Sequence, residues 1–353
     1  MSINIVGDQP VHLGVVSKIA GNRLAGIKCG GTQEGAGHTN VAVNATQLDV
    51  TGNGAEGEVD FDRAGIFTTG GAFLLKVRVS DNRGDGIRCR TKALGEKWEG
   101  ELVNLRYGAV QVLNNGGFGI FSGEDVALNI EVDQLPYVGV VSRISGNGRA
   151  GIWAGGEEGD ATVTDAKVDA TQLEVTGNGA RAIDAVERAG IRAREGGGDI
   201  GGGVVIVERN AHAGIEASED VLLNFAAPGV SNYPDERSSV SANGTAGIRT
   251  KGDLGATLVD VSRNGSAAQS GNDEEGNGIY AEGEVRLTSV TATDNGRHGT
   301  VTVTNADNQS AALPRGFRVA ERSTFPAGVN TVAFPSQSTF PLAARAPPRG
   351  RGN

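Results

Sequence analysis

The chain has 353 residues, of which 56 are Gly and only 10 Phe, 2 Trp and 4 Tyr, and its formal net charge is −10 at pH 7. That acidic balance argues against a nucleic-acid backbone as partner, and no stretch is long and apolar enough to span a membrane. High Gly with few aromatics would suit a disordered chain, but a strict internal period points instead to a repeat architecture.

The period begins near the first residue. Val or Ile, two residues, then Asn recurs at Ile19/Asn22, Val50/Asn53, Val79/Asn82, Val112/Asn115, Ile144/Asn147, Val175/Asn178, Val207/Asn210, Val240/Asn243 and Val261/Asn264, and Ala292/Asn295 keeps the Asn. Successive Asn lie 31, 29, 33, 32, 31, 32, 33, 21 and 31 residues apart. The flanking segments, such as Val77-Arg78-Val79, are β-branched and alternating, with no sustained helical stripe. Strands at one fixed period predict an all-β coil that stacks on itself, each turn about 4.8 Å from the next, so ten rungs make a rod roughly 50 Å long.

Roles within a rung follow from the pleat. The Val or Ile points inward, and the Asn is expected at a tight bend, in the left-handed conformation, with its amide laddered along the axis. In seven rungs a Gly follows four residues later: Gly26, Gly86, Gly119, Gly151, Gly214, Gly247 and Gly299. It is expected to let the polypeptide re-enter the next strand. All but Gly299 are followed by an inward Ile. Two positions beyond, a second inward row reads Cys29, Thr68, Cys89, Ser122, Ala154, Ala193, Ala217, Thr250 and Ala281, small enough for a narrow interior. Cys29 and Cys89 sit two rungs apart in that row, about 9.6 Å by the rung spacing, which predicts two free buried thiols.

The pattern Val79-Ser-Asp-Asn82-Arg-Gly-Asp-Gly86-Ile87 resembles the right-handed parallel β-helix repeats of pectate-lyase-like and NosD-like proteins, over about residues 3 to 305. The resemblance implies a single-stranded right-handed parallel β-helix and, for function, a polysaccharide lyase or epimerase acting on uronate-containing polymers. It also implies an extracellular or cell-surface setting. No secretory leader is visible, since Met1 to Ser17 lacks a basic start and a continuous apolar core.

A longer repeat overlies the short one. Residues 128–147 nearly copy residues 3–22 at an offset of 125, the offset persists at residues 170–178 against 45–53, and a third start appears at Leu223. Blocks 3–127, 128–222 and 223–305 follow, within a β-helical domain of residues 1–310. Because Ile3 already aligns with a mid-block position, upstream sequence, a partner or a short strand is expected to cover that end. Residues 311–353 carry six Pro, and six Arg against the single acid Glu321, and read as a cap and disordered tail.

In the second rung of each block an insert follows the Asn: eleven residues from Asn53 to Gly65, eleven from Asn178 to Gly190 and thirteen from Asn264 to Gly278. The inserts are acidic (Glu56, Glu58, Asp60 and Asp62; Asp184 and Glu187; Asp273, Glu274 and Glu275). Four and three rungs apart, roughly 19 and 14 Å, they are expected to act separately and not as one cluster. Glu56, Glu58, Asp60 and Asp62 alternate and could converge on Ca²⁺, although no cofactor is required.

One position after each inward Ile should face solvent. That row reads Lys28, Phe67, Arg88, Phe121, Trp153, Arg192, Glu216, Arg249 and Tyr280. Aromatic faces stack on sugar rings, and guanidinium or ammonium groups pair with uronate carboxylates or sulfates. The row therefore predicts a non-catalytic binding face for a linear acidic polysaccharide. The structural alternative is that β-propensity alone puts aromatics on a sheet face, in a purely structural or adhesin rod.

Catalysis has less support. His12, His38, His212 and His298 share no common setting, and His212 and His298 fall at turns expected to be exposed. The Asn-Thr-Asp and Gly-His-Gly signatures of polygalacturonases are absent, as are the Asp-Pro-His of alginate epimerases and the Trp-x-Asp-His of pectate lyases; Arg297-His298-Gly299 is a distant echo. A lyase running on Ca²⁺ and an Arg base would use Arg88 with Arg90, or Arg192 with Arg194. Sequons occur at Asn44, Asn243, Asn264 and Asn308, two of them inside the predicted ladder.

Overall fold

The computed structural model describes residues 1–302, except residues 4, 7–8, 11–15, 31–42, 90–102, 106–109, 124, 129–140, 157–165, 167, 171, 195, 201–203, 224–236, 268–274, 284, 289 and 297–299. Arg90, His12, His38, His298, Asp273, Glu274, Asn308 and the whole 311–353 tail lie outside the described residues.

The polypeptide winds into a parallel β-solenoid with three faces. The first face holds the strand before each ladder Asn, such as Gln111–Leu113, Ser142–Ser145 and Leu173–Thr176. The second begins at the Ile of each rung, or at Thr300 in the last, and stacks ten strands from Ile27–Cys29 to Thr300–Thr302. The third holds segments such as Val126–Leu128, Val168–Ala170 and Val221–Leu223. First and third faces join into one 18-stranded sheet because Val43–Thr51 and Ala72–Ser80 run around the corner between them. They turn at Gln47 and Lys76, which adopt φ of 48° and 51°. From Val103–Leu105 onward each face has its own strand, in strict rotation. The regular coil is thus somewhat shorter than the ten rungs expected, since the earlier rungs share long strands.

Every rung stacks in register. Val79 pairs with Val112, and Val112 with Ile144, so the inward residues form unbroken columns. These columns merge into one core that extends from Ile27 to Ala292. The small inward row stacks as expected: Cys29 lies against Thr68, and Thr68 against Cys89. Both thiols are free and buried, with the Thr68 rung between them, and burial pushes both thiol pKa values up.

The Asn ladder runs from Asn22 to Asn295. Each Asn Nδ2 donates to the next Asn Oδ1 at 2.8–3.0 Å. The same Oδ1 accepts the preceding Asn backbone N–H, as in Asn115 N to Asn147 Oδ1 at 3.1 Å. From Asn53 on, Nδ2 also reaches a carbonyl one rung earlier, as in Asn115 to Val79 O at 3.2 Å. From Asn53 to Asn264 each side chain therefore joins three rungs and leaves no buried amide group unpaired.

Two details differ from expectation. The left-handed residue is not the Asn but the one before it: Asp81, Asn114, Arg209, Ala242, Arg263 and Asp294 have φ of 54–57°, and Gly21, Gly52, Gly146 and Gly177 take the same place with φ of 65–67°. That bend turns the Asn side chain inward, where the ladder needs it. The Gly four residues on is required by space and not by a special φ. A Cβ on Gly86 would stand 2.5 Å from Val112 Cγ1 and 2.7 Å from Gly119 O of the next rung.

Candidate functional site

The outward row of the second face is in register over its whole length. Lys28 pairs with Phe67, Phe67 with Arg88, Arg88 with Phe121, Phe121 with Trp153, and Trp153 with Arg192. Glu216, Arg249 and Tyr280 continue the column. Its burial is the correction. Phe67 is 0% exposed, Phe121 and Trp153 3%, Arg88 5% and Tyr280 7%. The rings of the row are thus buried outside the coil, Phe121 and Trp153 within a second core with Phe118 and Ala150, while Lys28 stays exposed and Arg192 and Arg249 half-buried.

The inserts help to cover it. The first carries a helical turn, Asp60–Arg63, and the second a 3₁₀ turn, Ala185–Arg188. Both close in the same way: Arg63 Nε donates to Gly57 O at 2.7 Å, and Arg188 Nε to Ala182 O at 2.8 Å. Gly54 and Gly179, both at φ 86°, bring the insert against the backbone of Arg63 and Arg188, where a Cβ would lie 2.5 Å from main-chain atoms. Phe61 of the first insert packs on Phe67, ring centroids 5.6 Å apart. Val186 of the second insert packs on the cluster of Phe118, Phe121, Ala150 and Trp153. Phe118 lies 5.4 Å from Phe121 and 5.2 Å from Trp153, and Trp153 Nε1 donates to Gly156 O at 2.7 Å.

Cationic groups lie over these rings. Lys28 Nζ stands 4.8 Å from the Phe61 ring, and the guanidinium carbons of Arg88, Arg149 and Arg192 stand 4.1, 5.2 and 4.9 Å from Phe121, Phe118 and Trp153. Such contacts hold the cations by the ring quadrupole. Each cation also has a carboxylate. Lys28 pairs with Asp62 at 2.8 Å, and Glu216 Oε1 accepts from Arg192 at 2.9 Å and from Arg249 at 3.4 Å.

The densest group joins both inserts, contrary to the expectation that they act separately. Arg88 Nη1 lies 2.6 Å from Asp85 Oδ2 and 3.7 Å from Asp60 Oδ2. Arg149 lies 3.8 Å from Asp60 and 3.4 Å from Glu187. Asp85 Oδ1 also accepts the Phe118 N–H at 2.8 Å. Burial pushes the Asp85 carboxyl above its usual range, against the pull of Arg88, and burial likewise raises Glu187 against the pull of Arg149.

The acids offered for Ca²⁺ do not converge. Asp60 and Asp62 face the cations just named, and Glu56 pairs with Arg23 at 3.2 Å. Glu58 is exposed. Among the described residues no group of three or more His, Cys, Asp or Glu is placed to hold a metal ion. Of the lyase candidates, Arg88 and Arg192 are held by carboxylates, and Arg194 is half-buried at the end of its strand. His212 is buried, not exposed: its Nδ1 lies 3.3 Å from Thr245 Oγ1. Burial lowers its pKa despite the nearby Glu216 and Glu275. The sequons at Asn243 and Asn264 fall on fully buried ladder amides that are already bonded, so a glycan on either would break the ladder. Among the described residues no helix is long and apolar enough to cross a membrane.

Sequence reasoning missed Asp85, Phe118, Arg149, Phe61 and Val186. A signal for the last two was present: at the 125-residue offset Phe61 matches Val186, Asp62 matches Glu187 and Arg63 matches Arg188. An apolar residue at the same place in the two inserts, followed in each by an acid and an Arg, marks a surface to be covered.

The sequence matches no family model, no curated protein and no solved structure.

Proposed function

We propose that this protein is a non-catalytic structural or adhesin-type rod, whose task is to hold its surface loops at fixed intervals along a stiff axis. The observation that supports it is the closure of the second face: the aromatic row lies in an outer core, and the cations above it are held by carboxylates. A binding platform for stacked sugars needs exposed rings. The Asn ladder adds a bonded spine along the axis. Spin labels at Lys18 and Thr291, nine rungs apart on the first face, should report one narrow distance of roughly 43 Å. A broad distribution, or one that narrows when a polysaccharide is added, would overturn the rod.

A second reading has its own observation. The side chains of Lys28, Arg149 and Arg249 are still 37, 36 and 27% exposed. A uronate or sulfate polymer could compete with the carboxylates for these heads, in keeping with the resemblance to pectate-lyase-like and NosD-like repeats. Retention on immobilised pectate or alginate, weakened by Arg149→Ala, would support it. Failure to bind any acidic glycan would leave the rod alone.

The enzymatic reading, a lyase or epimerase, is the least supported. It calls for an Arg free to take a proton, and Arg88 and Arg192 both lie in close ion pairs. Accumulation of unsaturated uronate products on pectate or alginate would reverse that order.

A further inference from the structure

Every ladder Asn except Asn22, Asn82 and Asn210 is followed by Gly. Asn-Gly is the dipeptide most open to spontaneous deamidation, because no side chain shields the Gly nitrogen. In that reaction the Gly N–H loses its proton and the nitrogen attacks the Asn Cγ. A new C–N bond forms to Cγ, the Cγ–Nδ2 bond breaks, and ammonia leaves. Water then opens the succinimide to Asp or isoAsp, so the balance is one water taken up and one ammonia released.

The rod holds both reacting groups. The Gly N–H of every such pair donates to the carbonyl of the ladder Asn one rung before, at 2.7–3.0 Å, as in Gly148 to Asn115 O and Gly296 to Asn264 O. The departing amide is also engaged: Asn147 Nδ2 donates to Asn178 Oδ1 at 2.9 Å and to Val112 O at 3.1 Å. We infer that the ladder keeps seven Asn-Gly modification sites latent, inert to deamidation while the coil is closed and reactive once a rung opens. Water is the only co-reactant.

The consequence of one event depends on its rung. At Asn147 a carboxylate would face two acceptors, Asn178 Oδ1 and Val112 O, and would loosen the neighbouring rungs. At Asn295 the side chain accepts two bonds from Asn264 through Oδ1 and donates to Val261 O. A carboxylate there keeps the accepted pair, so Asn295 is the site where the product is best tolerated.

The test is peptide mapping of the full-length protein after incubation at mildly alkaline pH, folded and in guanidinium. Deamidation in the folded rod should be slower by at least about tenfold at all seven sites, the factor that ~1.4 kcal/mol of local opening free energy imposes. Asn82→Ala, which removes the Oδ1 that accepts from Asn53, supplies a local control. In the folded variant Asn53 should react faster while Asn264 is unchanged. Equal rates in the folded and unfolded wild-type protein would overturn the inference. So would a folded Asn82→Ala protein in which Asn53 is no faster than in wild type.

Discussion

Arg149 ties together two inserts that begin four rungs apart: its guanidinium lies 3.8 Å from Asp60 of the first and 3.4 Å from Glu187 of the second. The same group stands over the Phe118 ring at 5.2 Å. One residue thus couples the two covers of the outer core. It is about a third exposed, so its ion pairs are screened and their joint worth is small, on the order of 0.5–1 kcal/mol. Arg149→Gln should lower the melting temperature only slightly, yet speed amide hydrogen exchange in both inserts. A double-mutant cycle with Asp60→Asn should show coupling. Faster exchange in one insert alone would mean that they are independent.

The pair beneath is a different case. Arg88 and Asp85 are both buried, 2.6 Å apart. Removing one partner strands the other charge, at a cost of about 3–5 kcal/mol. Arg88→Leu should be strongly destabilising in chemical denaturation, and adding Asp85→Leu should recover much of the loss. No recovery in the double variant would show that Asp85 matters through its bond to the Phe118 amide instead.

The ladder makes a sharper prediction. Asn147→Ala removes the acceptor for both the Asn115 backbone N–H and Asn115 Nδ2. The Asn115 backbone N–H and one of the two Asn115 Nδ2 protons then lack partners, the other Nδ2 proton keeping Val79 O, at about 1–3 kcal/mol each. Asn22→Ala, at the exposed end of the ladder, should cost far less. Equal losses at the two positions would mean that the ladder is not a cooperative spine.

Much of this spine was legible in the sequence, because a period of 29 to 33 residues, broken by one step of 21, with Asn and Gly at recurring offsets is set by the coil's own geometry. The inward columns, the small row at Cys29 and Cys89 and the free thiols followed from the pleat alone. The outer core did not. Period-two alternation shows that Trp153 points away from the coil, but not that Val186, more than thirty residues on, returns to pack against its cluster. Asp85 is similar: it occupies the slot held by Phe118 and Ala150 in the next two rungs, and the neighbouring Arg88 side chain together with the Phe118 N–H makes a carboxylate tenable there.

Acid should act through His212. Burial lowers its folded pKa below the unfolded value of 6.5, so the unfolded state binds the proton more readily. Its contribution is intact above pH ~6.5 and is lost as pH falls through that value toward the folded pKa. Asp85 and Glu187, whose folded pKa values are raised, work in the opposite sense and lose stability as pH rises through them. Between pH 7 and 5.5, the urea midpoint of the wild type should therefore drop relative to that of His212→Gln. An identical slope in the two proteins would place the acid sensitivity elsewhere.

The central claim is that the outer aromatic row is sealed, and Trp153 tests it most directly. Acrylamide quenching of Trp153 fluorescence, in a folded Trp98→Phe background that leaves it as the sole Trp, should show a blue-shifted emission and weak quenching, unchanged by pectate or alginate. Strong quenching that a polysaccharide suppresses would contradict the account, because the ring would then be an open sugar platform and not part of a core.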